Sequence, residues 1–280
     1  IIAGIFARET PIAMSMHPIV ALVAMWLLIL WLGILEGAQG ALVGLQPIDK
    51  DSYADTHPIT LRCATLAHKG NNINRFIVGR QFLVVLVIFC LNLCCTVVED
   101  AVVPGFSQTT VGIFLESGLS VMLITVILGQ LSAEVNATDC MLDFINTSFA
   151  FVTAWVCLVI ETSGLLHSVY LVQYFMAFVT GTSVKSDDGP RTMVESIFFW
   201  VRVLFSLSLV CFTMATTLSA LINYQTTMYE GLPNMASVVI FIFLICFLGM
   251  LEAMQIALFA VVNLPEEALD GHFTAQANCR

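Results

Sequence analysis

Charged side chains are scarce in this chain. Asp, Glu, Lys and Arg make up 11% of its 280 residues, against roughly 25% in a soluble domain. That scarcity excludes an ordinary water-soluble fold. The ten Lys and Arg form no run and the formal net charge is −10, which argues against a nucleic-acid partner. No Gly-Lys-Ser phosphate loop or nucleotide fingerprint occurs, so direct ATP drive has no support. His57, His68, His167 and His272 form no His-x-x-His or His-Glu-x-x-His pattern, so a metallohydrolase has no support either. The nine cysteines lack zinc-ligand spacing and any extracellular framework pattern. Cys90, Cys94, Cys95, Cys157, Cys211 and Cys246 lie within apolar runs and are expected to be reduced, buried thiols. There is no initiator Met and no charged leader, and the chain opens inside the apolar phrase Ile1 to Phe6. It is expected to be an internal stretch of a longer protein.

What the chain does have is apolar length. Hydrophobic residues make up 59% of it and the mean hydropathy is +0.93. The fold class that follows is an all-α polytopic membrane protein. A helix needs about 20 mostly apolar residues to cross the hydrocarbon core. On that rule about six spans are expected, at Pro18–Leu45, Phe76–Val98, Val111–Leu131, Met141–Gly181, Met193–Ile222 and Met235–Val262. The phrase Met141–Gly181 is long enough for two spans with a turn near Gly164. It is read here as one span plus an extension. The connection 46–75 carries Lys50, Arg62, Lys69 and Arg75, with Arg80 just beyond, and the positive-inside rule places it in the cytoplasm. The next connection, around Glu99-Asp100, has no Lys or Arg and falls outside. Lys185 and Arg191 then lie on the outer side. The patterns Asn136-Ala-Thr and Asn146-Thr-Ser match glycosylation acceptors, but this topology keeps both from the lumenal enzymes.

Two decamers break the apolar monotony. Gly33-Ile34-Leu35-Glu36-Gly37-Ala38-Gln39-Gly40-Ala41-Leu42 sits in the first full span. Gly249-Met250-Leu251-Glu252-Ala253-Met254-Gln255-Ile256-Ala257-Leu258 sits in the last and matches it at six of ten positions. The echo points to a duplicated unit, with 1–181 as most of a first repeat and 192–280 as the start of a second. If Met141–Gly181 is one span, the two decamers run in opposite directions, as in inverted-repeat carriers. A carboxylate at membrane depth costs on the order of 3 kcal/mol and normally faces a bundle interior or cavity. Glu36 and Gln39 share a helix face, with Gln46 seven residues on from Gln39. Gly33, Gly37, Gly40 and Gly44 offer small-residue faces for close helix approach. In the next span Gly79-Arg80-Gln81 places a guanidinium where it needs a carboxylate or carbonyl partner, and Glu36 is a candidate. Gln130 and Asp143 flank a short connection and could face an inner vestibule or cap helices. Glu116 reads as interfacial, Arg202 as a partner for Glu195 or another helix. Cys140 with Asp143 is too few ligands for a metal site.

At these residues the chain resembles the diatom silicic acid transporters. Glu36-Gly37-Ala38-Gln39 is similar to that family's Glu-Gly-x-Gln signature and Gly79-Arg80-Gln81 to its Gly-Arg-Gln signature. Glu252-Ala253-Met254-Gln255 matches the first signature again, with Ala where Gly is usual. Gly129-Gln130-Leu131 and Met141-Leu142-Asp143 also resemble short family motifs. The resemblance implies ten spans in two five-span halves. It also implies sodium-coupled uptake of orthosilicic acid across the plasma membrane by alternating access, with Na+ as the coupling ion and no cofactor. The residues suit that solute, a small neutral tetrahedron of hydroxyls. Gln39, Gln255, Gln81 and Gln46 are expected to contact it, since an amide both donates and accepts. Glu36 and Glu252, as hosts for Na+, are assigned with Arg80, Asp143 and Gln130 to coupling or gating, and Gly79 joins the close-packing glycines. A passive channel for a small neutral solute is the nearest rival, ahead of a membrane-embedded enzyme or a scaffold. Homo-oligomerisation is compatible with all of these.

Overall fold

The computed structural model describes residues 1–181, 191–226 and 231–262. Lys185 and His272 lie outside the described residues. Every regular element among the described residues is helical, as an apolar setting without water for unpaired backbone requires. The longer elements are α1 (Pro18–Gly44), α2 (Pro58–Ala67), α3 (Asn72–Cys95), α4 (Leu119–Asp139), α5 (Ser148–Thr162), α6 (Val169–Thr180), α7 (Met193–Ile222) and α8 (Asn234–Val262). Five of these, α1, α3, α4, α7 and α8, are long and apolar enough to cross a membrane. The chain divides into two compact units, Ile1–Leu158 and Val159–Arg280.

Helix α1 organises the first unit. Pro18 opens it at a position where the missing N–H costs nothing, and the His17 ring accepts from the Ile19 N–H at 3.3 Å. At 1.5 Å per residue its 27 residues run about 40 Å, more than a hydrocarbon core is thick. Its first half buries a single stripe, Ala21, Met25, Ile29 and Leu32, and exposes Val23, Trp26, Leu27 and Leu30. That is a helix with one face on protein and one on lipid. From Leu35 to Leu45 every residue is buried. The polar decamer therefore lies where α1 is enclosed on all sides, by α3, α4, α2 and the short helix Met141–Phe144. Helix α3 shows the same one-sided pattern as the first half of α1, with Phe76, Leu83, Val87 and Leu91 buried and Val85 and Phe89 exposed.

Two spans differ from expectation. The third begins at Leu119 rather than Val111. Gly118 adopts φ +76, a left-handed conformation that breaks the helix, and the Ser117 hydroxyl accepts from the Leu119 N–H at 3.3 Å. Val111 and Leu115 pack instead into a small cluster with Val97, Ala101 and Val103. Glu116 therefore lies ahead of the spanning helix. The phrase Met141–Gly181 resolves into Met141–Phe144, α5 of 15 residues and α6 of 12. The break is at Gly164, φ +87. Neither α5 nor α6 reaches the length of a full span by itself.

In the second unit α7 starts with a capping box, in which the Thr192 N–H donates to Glu195 at 2.8 Å and the Glu195 N–H to the Thr192 hydroxyl at 3.4 Å. Glu195 is thus engaged locally. Arg202 donates to the Thr162 carbonyl at 3.1 Å, satisfying the C-terminal end of α5, and lies 4.6 Å over the Phe198 ring.

Glycine at position 79 permits the α3–α5 approach within the first unit. A Cβ there would collide with the Cys157 backbone carbonyl, which cannot swing aside as a side chain can. Gly79→Ala is expected to destabilise the purified protein by about 1–3 kcal/mol, the range for overpacking, read as a lowered unfolding temperature in detergent.

Candidate functional site

Buried polar side chains gather at the enclosed part of α1. Glu36, Gln39 and Arg80 are 9%, 3% and 1% exposed, which in an apolar interior demands partners. The Arg80 Nη1 donates to Glu36 Oε2 at 2.6 Å, the short end of a charge-assisted hydrogen bond. Arg80 Nη2 donates to the Gln81 Oε1 at 2.7 Å. From the other side the Gln130 Nε2 donates to Glu36 Oε1 at 3.1 Å. Three helices thus meet at one carboxylate, and the partner anticipated for Arg80 is the one it has.

Local structure places each group. Gln130 belongs to a π-helical stretch of α4, Thr125–Leu131, a distortion often found where a helix re-aims a functional side chain. On α1 the glycines make the approach possible. A Cβ at Gly33 would lie 3.4 Å from the Gly129 carbonyl oxygen and the Ala133 methyl, and one at Gly37 would lie 3.1 Å from the Ala133 carbonyl oxygen and overlap the Phe144 ring. Gly40 and Gly44 are buried along the same helix. One acceptor stands out. The Gln39 side-chain oxygen is buried with no hydrogen-bond partner among the described residues, an arrangement that costs about 1–3 kcal/mol. It is the kind of group a hydroxyl solute satisfies.

Several expected members lie elsewhere. Gln46 follows the end of α1 and is exposed, because the helix stops at Gly44 before the stripe can extend. Asp143, with a side chain 79% exposed, pairs with His57 Nε2 at 3.1 Å rather than joining Glu36, and Cys140 is exposed. Glu252 and Gln255, on α8 of the second unit, are partly buried, and a Cβ at Gly249 would meet nothing within 4 Å.

The connection 46–75 also holds structure that composition did not reveal. Helix α2 folds within it, and Asn146 accepts from the Ile59 and Thr60 N–H groups at 3.1 and 3.3 Å, capping α2 from a distant part of the chain. The Asn146 of the glycosylation pattern is thus engaged as a cap. His68 Nε2 lies 2.8 Å from the Leu42 carbonyl, which only accepts, so the ring donates there. It closes one of the open carbonyls at the end of α1. Burial pushes the His68 imidazole below its ordinary value, more than the bond to Leu42 raises it, and Lys50 adds to the lowering.

The family model for silicon transporters matches residues 1–280. The chain belongs to the silicon transporter family. No curated protein and no solved structure matches it. Membership makes silicic acid the solute and makes this an integral, multi-pass membrane protein. In the transporter, Glu36, Gln39, Arg80, Gln81 and Gln130 form the polar cluster that the first decamer and the Gly79-Arg80-Gln81 tripeptide build.

Two outcomes test the cluster. Removing either partner of the buried pair, as Glu36→Gln or Arg80→Gln, is expected to cost about 3–5 kcal/mol, because a buried charge is left uncompensated. The double variant should recover most of that loss in a thermal unfolding cycle. For His68 the folded chain holds a proton less readily than the unfolded chain, so its contribution is complete above about pH 6.5 and is lost as pH falls below it. The unfolding temperature should therefore drop on acidification, and less steeply in His68→Gln.

Proposed function

We propose that the transporter moves orthosilicic acid inward across the plasma membrane, coupled to Na+, by alternating access. The Glu36–Gln39–Arg80–Gln130 cluster is its first half-site. The observation that carries this reading is a buried ion pair beside a buried amide oxygen with nothing to accept. Orthosilicic acid presents four hydroxyls, each a donor and an acceptor. One hydroxyl can donate to the Gln39 oxygen while others accept from the amide nitrogens of Gln81 or Gln130. No buried net charge is needed to hold a neutral solute, which suits a pair that cancels its own.

Sodium needs oxygen ligands. Each Glu36 oxygen accepts a hydrogen bond, one from Arg80 and one from Gln130. A cation therefore reaches this carboxylate only when the guanidinium withdraws, since two positive charges on one carboxylate repel strongly in a low-dielectric interior. That exchange is the coupling step in this proposal. Na+ and Arg80 compete for Glu36, and displacing Arg80 changes how α3 sits against α1. Glu252 and Gln255 are read as the counterpart half-site, by the sequence echo and the two five-span halves that the family resemblance implies, inverted if Met141–Gly181 is one span. These carboxylates are read as ligands and counter-charges rather than acid–base catalysts.

Uptake of silicic acid into proteoliposomes under an inward Na+ gradient tests the proposal. The wild-type rate should fall at least about tenfold when the gradient is removed or when Gln39→Ala is combined with Gln255→Ala, a loss equivalent to one or two hydrogen bonds. Full uptake without Na+ would select the passive channel, and full uptake by the double variant would remove the two glutamines from the solute site.

A further inference from the structure

Helix α2 and its N-cap residue His57 are fastened to the segment that follows α4 by five polar contacts. Asn146 caps its first turn, and the Thr60 hydroxyl donates to the Leu142 carbonyl at 2.6 Å. The Cys63 thiol reaches the Ile145 carbonyl at 3.7 Å, and His57 pairs with Asp143 at 3.1 Å. Composition gave no reason for a connecting loop to grip this segment so closely. The grip holds one large side chain in place. The Phe144 ring occupies the notch left by the absent side chain of Gly37, next in sequence to Glu36 on the all-round buried stretch of α1.

We propose that Phe144 is a gate residue for the polar cluster. Seated on Gly37, its ring closes the route between Glu36 and the membrane side on which α2 lies, and α2 controls whether it stays seated. The proposal rests on reading the cluster as the silicic acid site. Three features make this a gate rather than ordinary core packing. The ring has somewhere to go, because Phe144 also lines an apolar groove of about 920 Å³ between α1 and α4, beside Leu28, Gly33 and Ala133. The clamp is easy to open at its edge, since the Asp143 side chain is 79% exposed and exposed polar pairs contribute little to stability. The seat is made by the Gly of the Glu-Gly-x-Gln stretch itself, so any larger residue at position 37 displaces the ring. The connection carrying α2 holds Lys50, Arg62 and Lys69, which assign this side to the cytoplasm. Phe144 would then close the inner side while the solute enters from outside.

Thiol accessibility in the full chain tests this. Leu35 is 0% exposed and precedes Glu36 on α1, so it lies beyond the Gly37 seat from α2, which follows the other end of that helix. Leu35→Cys is labelled from the α2 side with a membrane-impermeant methanethiosulfonate, and labelling is read by peptide mass spectrometry so that the native cysteines are tracked separately. Labelling should be slow with Phe144 present, roughly tenfold faster with Phe144→Ala, and intermediate with Phe144→Leu, as expected for a local opening. His57→Ala with Asn146→Ala, which loosens the clamp and leaves the ring intact, should also speed it. Equal rates across the series overturn the gate. Cys157, 0% exposed, reports unfolding. If it becomes labelled in Phe144→Ala, the Phe144→Leu and clamp variants decide the matter. Silicic acid uptake by the wild-type chain is measured beside these. A labelling response without uptake leaves the gate standing and removes the solute reading, and uptake with a flat labelling series does the reverse.

Discussion

A carboxylate and a guanidinium deep in an apolar protein must neutralise each other, and the first unit is arranged so that they do. Desolvating either ion alone costs several kcal/mol, so Glu36 and Arg80 fix the rotation of α1 against α3 to within one side-chain length. Gln130 then ties α4 to the same carboxylate. The glycines follow from that requirement. Polar side chains can converge only if the helices carrying them come close, and Gly33, Gly37 and Gly79 remove the side chains that would keep them apart. Polar cluster and small-residue faces are two parts of one arrangement.

The same arrangement sets what the cluster can do. A self-cancelling ion pair provides a strong donor and a strong acceptor with little net field, which suits a neutral polyhydroxyl solute better than an ion. In the proposed coupling step the carboxylate is available to a cation only in exchange for Arg80, so cation and guanidinium compete for one side chain. Leu35 to Leu45 are enclosed, with α2 and Phe144 on one side. A distortion of α4 sits at the cluster, where a π-helical stretch carries Gln130.

The sequence made the membrane class, five of the spans and the Glu36–Arg80 pairing legible. Long apolar runs and a buried charge in need of a partner are strong local signals. Where the reading fell short, the missing information was tertiary. Gln46 was placed on the stripe of Gln39, but the helix ends first, at Gly44 with Pro47 just beyond, two stop signals that a count of apolar residues does not register. The start of the third span was set by hydropathy, which does not register the left-handed Gly118. Asp143 was grouped with Gln130 by sequence proximity, yet its partner is His57, 86 residues away. Helix α2 and the Asn146 cap gave no composition signal at all. The one clue to Phe144 was Gly37, a notch that had to be filled by something.

The central claim is that the Glu36–Arg80 pair opens when Na+ and silicic acid bind. Infrared difference spectra of the wild-type protein in liposomes, with and without Na+ and silicic acid, measure this directly. The account predicts a shift of a buried carboxylate stretching band that is absent from the Glu36→Gln, Arg80→Gln double variant. A carboxylate band that stays fixed in the wild-type protein while silicic acid is taken up would contradict it.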